Sequence, residues 1–493
     1  MNFVKTSFIA NSPSNNEKCI HIVKNPYSGE AIGSVELSDQ NDISLAFDNA
    51  RDVFKNRKRW LSRDQRLAVL NNLVTLMKND IDKLVHIAAS EGGKPIIDTK
   101  TEVKRAIRGV ELCVRYLSQN NTEPVHLHSD DTESHIRTSY SLKEPIGIVV
   151  AVSAFNHPLN LIVHQVIPAI VCGNPILIKP AADTPLSCFN LVKLIYKSGL
   201  PIEWCQVLMT GSHALTQSLI TNEHVNLLTF VGSAKIGWML RSKLSPGTRC
   251  LLEHGGVAPV IVEETADLVE TVASIVKGGF YHAGQVCVSV QRVFLPDTRL
   301  KEFSDELVRQ TQLLFTGDQL SEKTDVGPLI RGSEISRIES WINEAIEEGA
   351  TLLCGGERIN DSCLLPTLLL NPSKSSKVTQ QEIFGPVIAL YSYSNIGDAI
   401  EQANHSQFSF QSAVFSKDID KSNYIARELN SSAVMINDHS AFRDDDMPFS
   451  GLNQSGLGVG GIRNTINEMQ TNKMIVQRIK GNKDMEKQLK INN

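Results

Sequence analysis

The sequence predicts an α/β protein centred on a mostly parallel sheet with helices on both faces. Apolar runs at 146–152, 175–178, 204–209 and 225–231 alternate with helical text at 159–170 and 186–198, as strands buried on both faces require. A second α/β pattern follows, with strands at 258–262, 290–295, 388–391 and 432–436 and helices at 267–279, 300–315 and 335–348. Short alternating pieces within 121–142 predict an exposed hairpin, and 473–479 a last strand that pairs internally or with another subunit.

Ahead of this, the first 40 residues read as extended and looped, with a turn at Asn25-Pro26-Tyr27-Ser28-Gly29. Helical periodicity begins at Asp42 and runs to Trp60. Ser62 and Gln65 have capping-box spacing for a second helix, and helical text continues through 81–91 and on to about Leu117. Pro168 is expected to bend or end the 159–170 helix.

Length and composition bound the function. A chain of 493 residues implies about three domains. A net charge of −5 with 6% aromatic residues speaks against a nucleic-acid binder. No apolar stretch approaches the roughly 20 residues that span a bilayer, and the opening residues lack a leader pattern, so no membrane and a cytoplasmic location are expected. Nine cysteines without a C-x-x-C pair suit a reducing compartment. No metal-binding, ATP-binding or calcium-binding motif is present. Gly456-x-Gly458-x-x-Gly461 matches the dinucleotide fingerprint but follows a turn rather than a strand, so it is read as a segment that lets backbones pass closely.

Several residues can carry chemistry, each with a bland alternative. Cys287 follows two glycine-containing turns, as a nucleophile on a loop does, or is a buried thiol. Glu253, beside Gly255-Gly256, is a general base or a cap. Gly232-Ser233 between a strand and a helix suits pyrophosphate or a plain N-cap. Asn156, after the first strand, donates to an oxyanion or fixes a turn. Lys179, after the second strand, meets ribose hydroxyls or water.

One resemblance joins these signals. Phe155-Asn156-His157-Pro158, Lys179-Pro180-Ala181-Ala182, Phe230-Val231-Gly232-Ser233, Glu253-His254-Gly255-Gly256, Gly284-Gln285-Val286-Cys287, Glu382-Ile383-Phe384-Gly385-Pro386 and Pro448-Phe449-Ser450-Gly451 resemble, in order and separation, motifs of the aldehyde dehydrogenase superfamily. The resemblance spans about Asn25 to Gln477 and implies an NAD- or NADP-dependent enzyme acting on a small-molecule aldehyde. It implies Cys287 as nucleophile, Glu253 as base and Asn156 with the Cys287 N–H as oxyanion hole. Lys179 and Glu382 correspond to ribose contacts, Phe384 to a nicotinamide-side contact, and Gly232 and Ser233 to the pyrophosphate turn. His157, His164, Val286, Val288, Arg443 and Phe449 correspond to pocket positions. The implied organisation is a parallel-sheet cofactor domain (1–120 and 143–254), an α/β catalytic domain (255–431), a return segment (432–464), and a small β bridging element (121–142 and 465–493) that serves a homodimer or homotetramer.

Departures refine this. Ala182 stands where many NAD-preferring relatives carry a glutamate, which removes a charge that repels a 2′-phosphate. An intact Glu253 favours hydrolysis over transfer to coenzyme A, the rival reading; a silent, structural member of the fold is the third. Ser450, Asn453, Val459 and Gly460 replace family residues near the end and are expected to alter subunit contacts or loop shape rather than chemistry. Arg443 recognises a distal carboxylate or pairs with Asp444 to Asp446.

Overall fold

The computed structural model describes residues 4–5, 8–12, 18–119, 123–124 and 137–478. The α/β expectation is met by two sheets. In the first, the strand order is Cys205–Val207, Ile176–Lys179, Val149–Val152, Leu227–Val231, Arg249–Glu253, all parallel, with Gly456–Leu457 antiparallel at the edge. Period-two burial explains its double cover. Val149, Ala151, Ile176 and Ile178 pack on one side against the helices Arg63–Asn79, Ile96–Ser118, Asn160–Cys172 and Pro185–Lys197. Val150, Val152 and Leu177 pack on the other side with Ile43 and Phe47 of Gln40–Lys55.

The chain enters this sheet at its centre, moves outward to Cys205–Val207, then returns to the other side of Val149–Val152. The strand order therefore reverses between Val149–Val152 and Leu227–Val231, where doubly wound sheets open a ligand crevice. The turns at 153–159 and 232–233 leave from these two strand ends.

The second sheet runs Thr351–Cys354, Thr367–Leu370, Val387–Tyr393, Arg292–Pro296, Pro259–Val262, Gln411–Phe415, Ala433–Ile436, parallel except for the first strand. Thr351–Cys354, Thr367–Leu370 and Gln411–Phe415 are strands beyond the sequence expectation. Gln411 and Ser412 are fully buried polar residues that break the apolar text of the last of these.

Other differences have local causes. The N-terminal stretch forms a hairpin, Ile20–Lys24 with Ala31–Glu36, because Asn25 Oδ1 accepts from the N–H of Tyr27 and Ser28 and closes the turn. Helix Asn160–Cys172 runs through Pro168 and ends at left-handed Gly173. The Ser62/Gln65 capping box forms as read. Strand Gln470–Arg478 pairs with Arg137–Pro145 over nine residues within the chain; most of the expected 121–142 hairpin lies outside the described residues. The fingerprint-like glycines return the chain to the first sheet beside Glu253, with Glu253 opposite Gly456. Among the described residues no helix is long and apolar enough to cross a membrane.

Arg292 ties the second sheet to its cover. Fully buried, it donates to the carbonyls of Val257, Gln402 and Ala403, the last two at the end of helix Ile396–Asn404. Arg292→Met leaves those carbonyls without a donor and is expected to cost about 3 kcal/mol, seen as a lower urea midpoint; an unchanged midpoint contradicts this role.

Candidate active site

Helix Leu268–Phe280 ends in a turn in which His282, Ala283 and Gly284 are all left-handed, with φ of 49°, 53° and 69°. Such conformations cost non-glycine residues about 1–3 kcal/mol each. The side chain of Gln285 holds the turn. Its Nε2 donates to the carbonyls of His282 and Pro328, and its Oε1 accepts from Ile330 N–H. Two residues on, Cys287 stands partly exposed in an apolar box of Val286, Val288, Phe410, Tyr281, Ala441 and Phe449. Burial, followed by Glu382 and Glu253, pushes its thiol well above the ordinary range.

Asn156 reaches the same loop, donating from Nδ2 to the Gln285 carbonyl at 3.0 Å. Glu253 ends strand Arg249–Glu253, and burial raises its carboxyl to about 7 against the opposing charge of Arg443. A Cβ at Gly460 would lie 2.0 Å from Glu253 Oε1. This corrects the expectation for that departure: Gly460 bears directly on the candidate base. It also pairs through its backbone with Phe449, so pocket wall and base share one support.

The cofactor candidates lie around the crevice. Lys179 donates from Nζ to the Pro180 carbonyl, and burial lowers its pKa. The Ala182 carbonyl meets His21 Nε2 at 2.8 Å, a contact from the N-terminal hairpin that sequence reasoning missed. Ser233 makes no side-chain cap to helix Ala234–Arg241, which leaves its hydroxyl available, and the Gly232 carbonyl is held by His254 Nδ1. Glu382 Oε1 is buried without a partner, while burial raises this carboxyl to about 8. A Cβ at Gly255 would fall 1.5 Å from that oxygen. Phe384 is left-handed, with φ of 51°, and packs edge-on against Phe155 at 5.7 Å. An unsatisfied buried acceptor, a free serine hydroxyl and uncapped helix N–H groups fit a group bearing hydroxyls and phosphates.

At the far side of the box, His157 lies against the rings of Tyr281 and His282. His164 contacts Asp445 at 2.9 Å, and Arg105 donates to both Asp445 oxygens. Although burial alone would raise it, the bonds from His164 and Arg105 hold Asp445 well below the usual carboxylate range. Arg108 takes Asp444. Pairing of Arg443 with these acids is therefore not what forms. Arg443 donates to the Met447 and Pro448 carbonyls and lies over the Phe449 ring at 4.4 Å. Among the described residues no carboxylate sits within ion-pair distance of it. Arg105 was missed in the sequence; its signal was the spacing of Asp98, Glu102 and Arg105 on one face of helix Ile96–Ser118, a face that also carries buried Gly109 and Leu112.

A separate cleft of about 310 Å³ against Arg292, Phe294 and Tyr391 contains none of these groups.

Three comparisons with known proteins bear on this arrangement. The chain is 34% identical over 455 residues to a 3-sulfolactaldehyde dehydrogenase of Priestia aryabhattai, covering 92% of this chain and 94% of that one. Its fold matches aldehyde dehydrogenase 21 of Physcomitrella patens, solved with the reaction product succinate, at a TM-score of 0.93 and 31% identity, covering 98% and 99% of the two chains. It matches glyceraldehyde-3-phosphate dehydrogenase of Methanocaldococcus jannaschii, complexed with NADP, at a TM-score of 0.89 and 35% identity, covering 94% and 100%. Residues 12–475 match the family model described as the aldehyde dehydrogenase family, and the chain belongs to that family.

Proposed function

We propose that the protein oxidises a short aldehyde bearing a distal anionic group to the free carboxylic acid, with NAD or NADP as hydride acceptor. The observation that carries this reading is the gathering around Cys287 of the raised carboxyl of Glu253 and of the Arg443 guanidinium, which meets no carboxylate among the described residues and whose charge acts on both. The anionic group is supported by Arg443, which keeps donors free of any carboxylate in a half-buried wall. It is supported too by the three relatives, whose names specify a sulfonate, a dicarboxylate product and a phosphate.

In this reading Cys287 Sγ forms the bond to the carbonyl carbon as its proton passes to Glu253, the group in the box whose pKa lies near neutrality. The carbonyl π pair becomes an oxyanion, which the Asn156 amide and the Cys287 N–H stabilise; each such donor is worth about 3 kcal/mol. Lys179 and Glu382 would hold the ribose hydroxyls of the cofactor, and Ser233 with the first N–H groups of helix Ala234–Arg241 would meet its pyrophosphate. A bound nicotinamide would supply the acceptor for the hydride that the Cys287 adduct loses on becoming a thioester. Glu253, once it has released the first proton to solvent, takes a second from water as the water oxygen adds to the thioester carbon, the C–S bond breaks, and Cys287 leaves as the thiolate. His157, Val286, Val288 and Phe449 shape the wall; His164 braces Arg105 through Asp445. The division into cofactor, catalytic, return and bridging segments given above belongs to this proposal, as does a homodimer or homotetramer. The latter is supported by exposed Met474 and Val476 on an edge strand.

The active form of Glu253 is deprotonated, so turnover is expected to rise as pH increases through about 7 and level off above it. Glu253→Gln should keep a slowed burst of reduced cofactor, lose steady turnover to a greater extent and abolish that pH limb; equal loss of burst and turnover contradicts the deacylation role, and acceleration by coenzyme A favours the acyl-transfer reading instead. Arg443→Met should lower kcat/KM for 4-oxobutanoate about 100-fold more than for butanal, in line with loss of one charged contact to the substrate. A parallel fall for both aldehydes rejects anion recognition. With Ala182 offering no repelling charge, NADP should be used at more than about one-thousandth the efficiency of NAD, a limit of roughly 4 kcal/mol, in initial-rate assays with each cofactor.

A further inference from the structure

Helices Asn160–Cys172 and Pro185–Lys197 follow the two loops on which the proposed chemistry depends, those of Asn156 and of Lys179 to Ala182. Neither helix has a side-chain cap of its own. Their first N–H groups are met by two buried glutamates from one distant segment. Glu102 Oε1 accepts from Leu159 and Asn160 at 3.0 and 3.1 Å, and Glu91 accepts from Leu186 and Ser187 at 2.7 Å each. Glu91 is 0% and Glu102 1% exposed. The other Glu102 oxygen is held by equally buried Lys94 at 2.5 Å.

The two glutamates lie on either side of the turn Gly92-Gly93-Lys94-Pro95, which carries Lys94 and is itself locked against the candidate nucleophile's support. A Cβ at Gly327 would come within 2.1 Å of the Gly93 carbonyl, and the neighbouring Pro328 and Ile330 are the partners of the Gln285 side chain. Burying a charged pair inside a protein rarely adds net stability. Here it delivers a carboxylate to a helix start four residues from Asn156.

We infer that Glu102, held by Lys94, is a positioning residue for the oxyanion donor Asn156, and that Glu91 is its counterpart for the cofactor loop. The inference rests on the functional reading above. It makes the two glutamates separable: one governs formation of the oxyanion and the other cofactor affinity.

The test compares two variants that bury no unpaired charge, K94M/E102Q, which keeps an acceptor, and K94M/E102M, which has none. Burst rate with 4-oxobutanoate at saturating NADP, NADP affinity by fluorescence titration, and alkylation of Cys287 by iodoacetamide, which develops no oxyanion, are measured for each. K94M/E102M should show a burst at least roughly tenfold slower than K94M/E102Q, the scale of a misplaced catalytic group, with alkylation and NADP affinity within about twofold. Glu91→Gln should show the converse, weaker NADP binding with an unchanged burst at saturation. If K94M/E102M does not fold, Glu102→Asp, which keeps the charge and shortens the arm, must show the same split against the wild type. Equal bursts in the two double variants, or parallel loss of all three readouts, overturn the inference alone. Absence of a burst in the wild type overturns the functional reading and the inference with it.

Discussion

The amide side chain of Gln285 is the contact on which the geometry of the site depends. Of the three left-handed residues before it, His282 and Ala283 are costly, and a chain free to relax would leave that conformation. Gln285 prevents this by satisfying its amide within the interior, between the turn itself and the segment at 328–330. Its carbonyl also receives Asn156. A single residue thus links the loop of the candidate nucleophile to the candidate oxyanion donor, and strain in one is balanced by hydrogen bonds to the other.

The electrostatics follow from the same enclosure. Burial raises Glu253 to about 7 and Glu382 to about 8, and pushes the Cys287 thiol up. A carboxyl near neutrality can both accept and release a proton at physiological pH, which is the property a base used twice requires. Arg443 provides the compensating positive charge without closing an ion pair, because Asp444 and Asp445 are already held by Arg108, Arg105 and His164. The acids after Arg443 in sequence therefore keep it available instead of neutralising it.

Glycine does comparable work where side chains would intrude. Gly255 makes room for Glu382 and Gly460 for Glu253. The second case links the segment 449–460 to the candidate base, about two hundred residues earlier in sequence.

The sequence by itself determined the α/β class, the central strands of both sheets and the ordered motifs that place the chain in its family. Strand periodicity and short motifs are local, and they survive without knowledge of the fold. The strands it did not reveal, such as Gln411–Phe415, carry polar residues whose partners are distant, and the hairpin at 20–36 depends on one asparagine side chain. Tertiary structure alone decided that Arg443 closes no ion pair among the described residues, that Gly460 faces Glu253, and that Glu91 and Glu102 cap helices dozens of residues away. Each of these is a contact between segments remote in sequence, set by which charges and unsatisfied backbone groups packing brings together, and no local pattern records it.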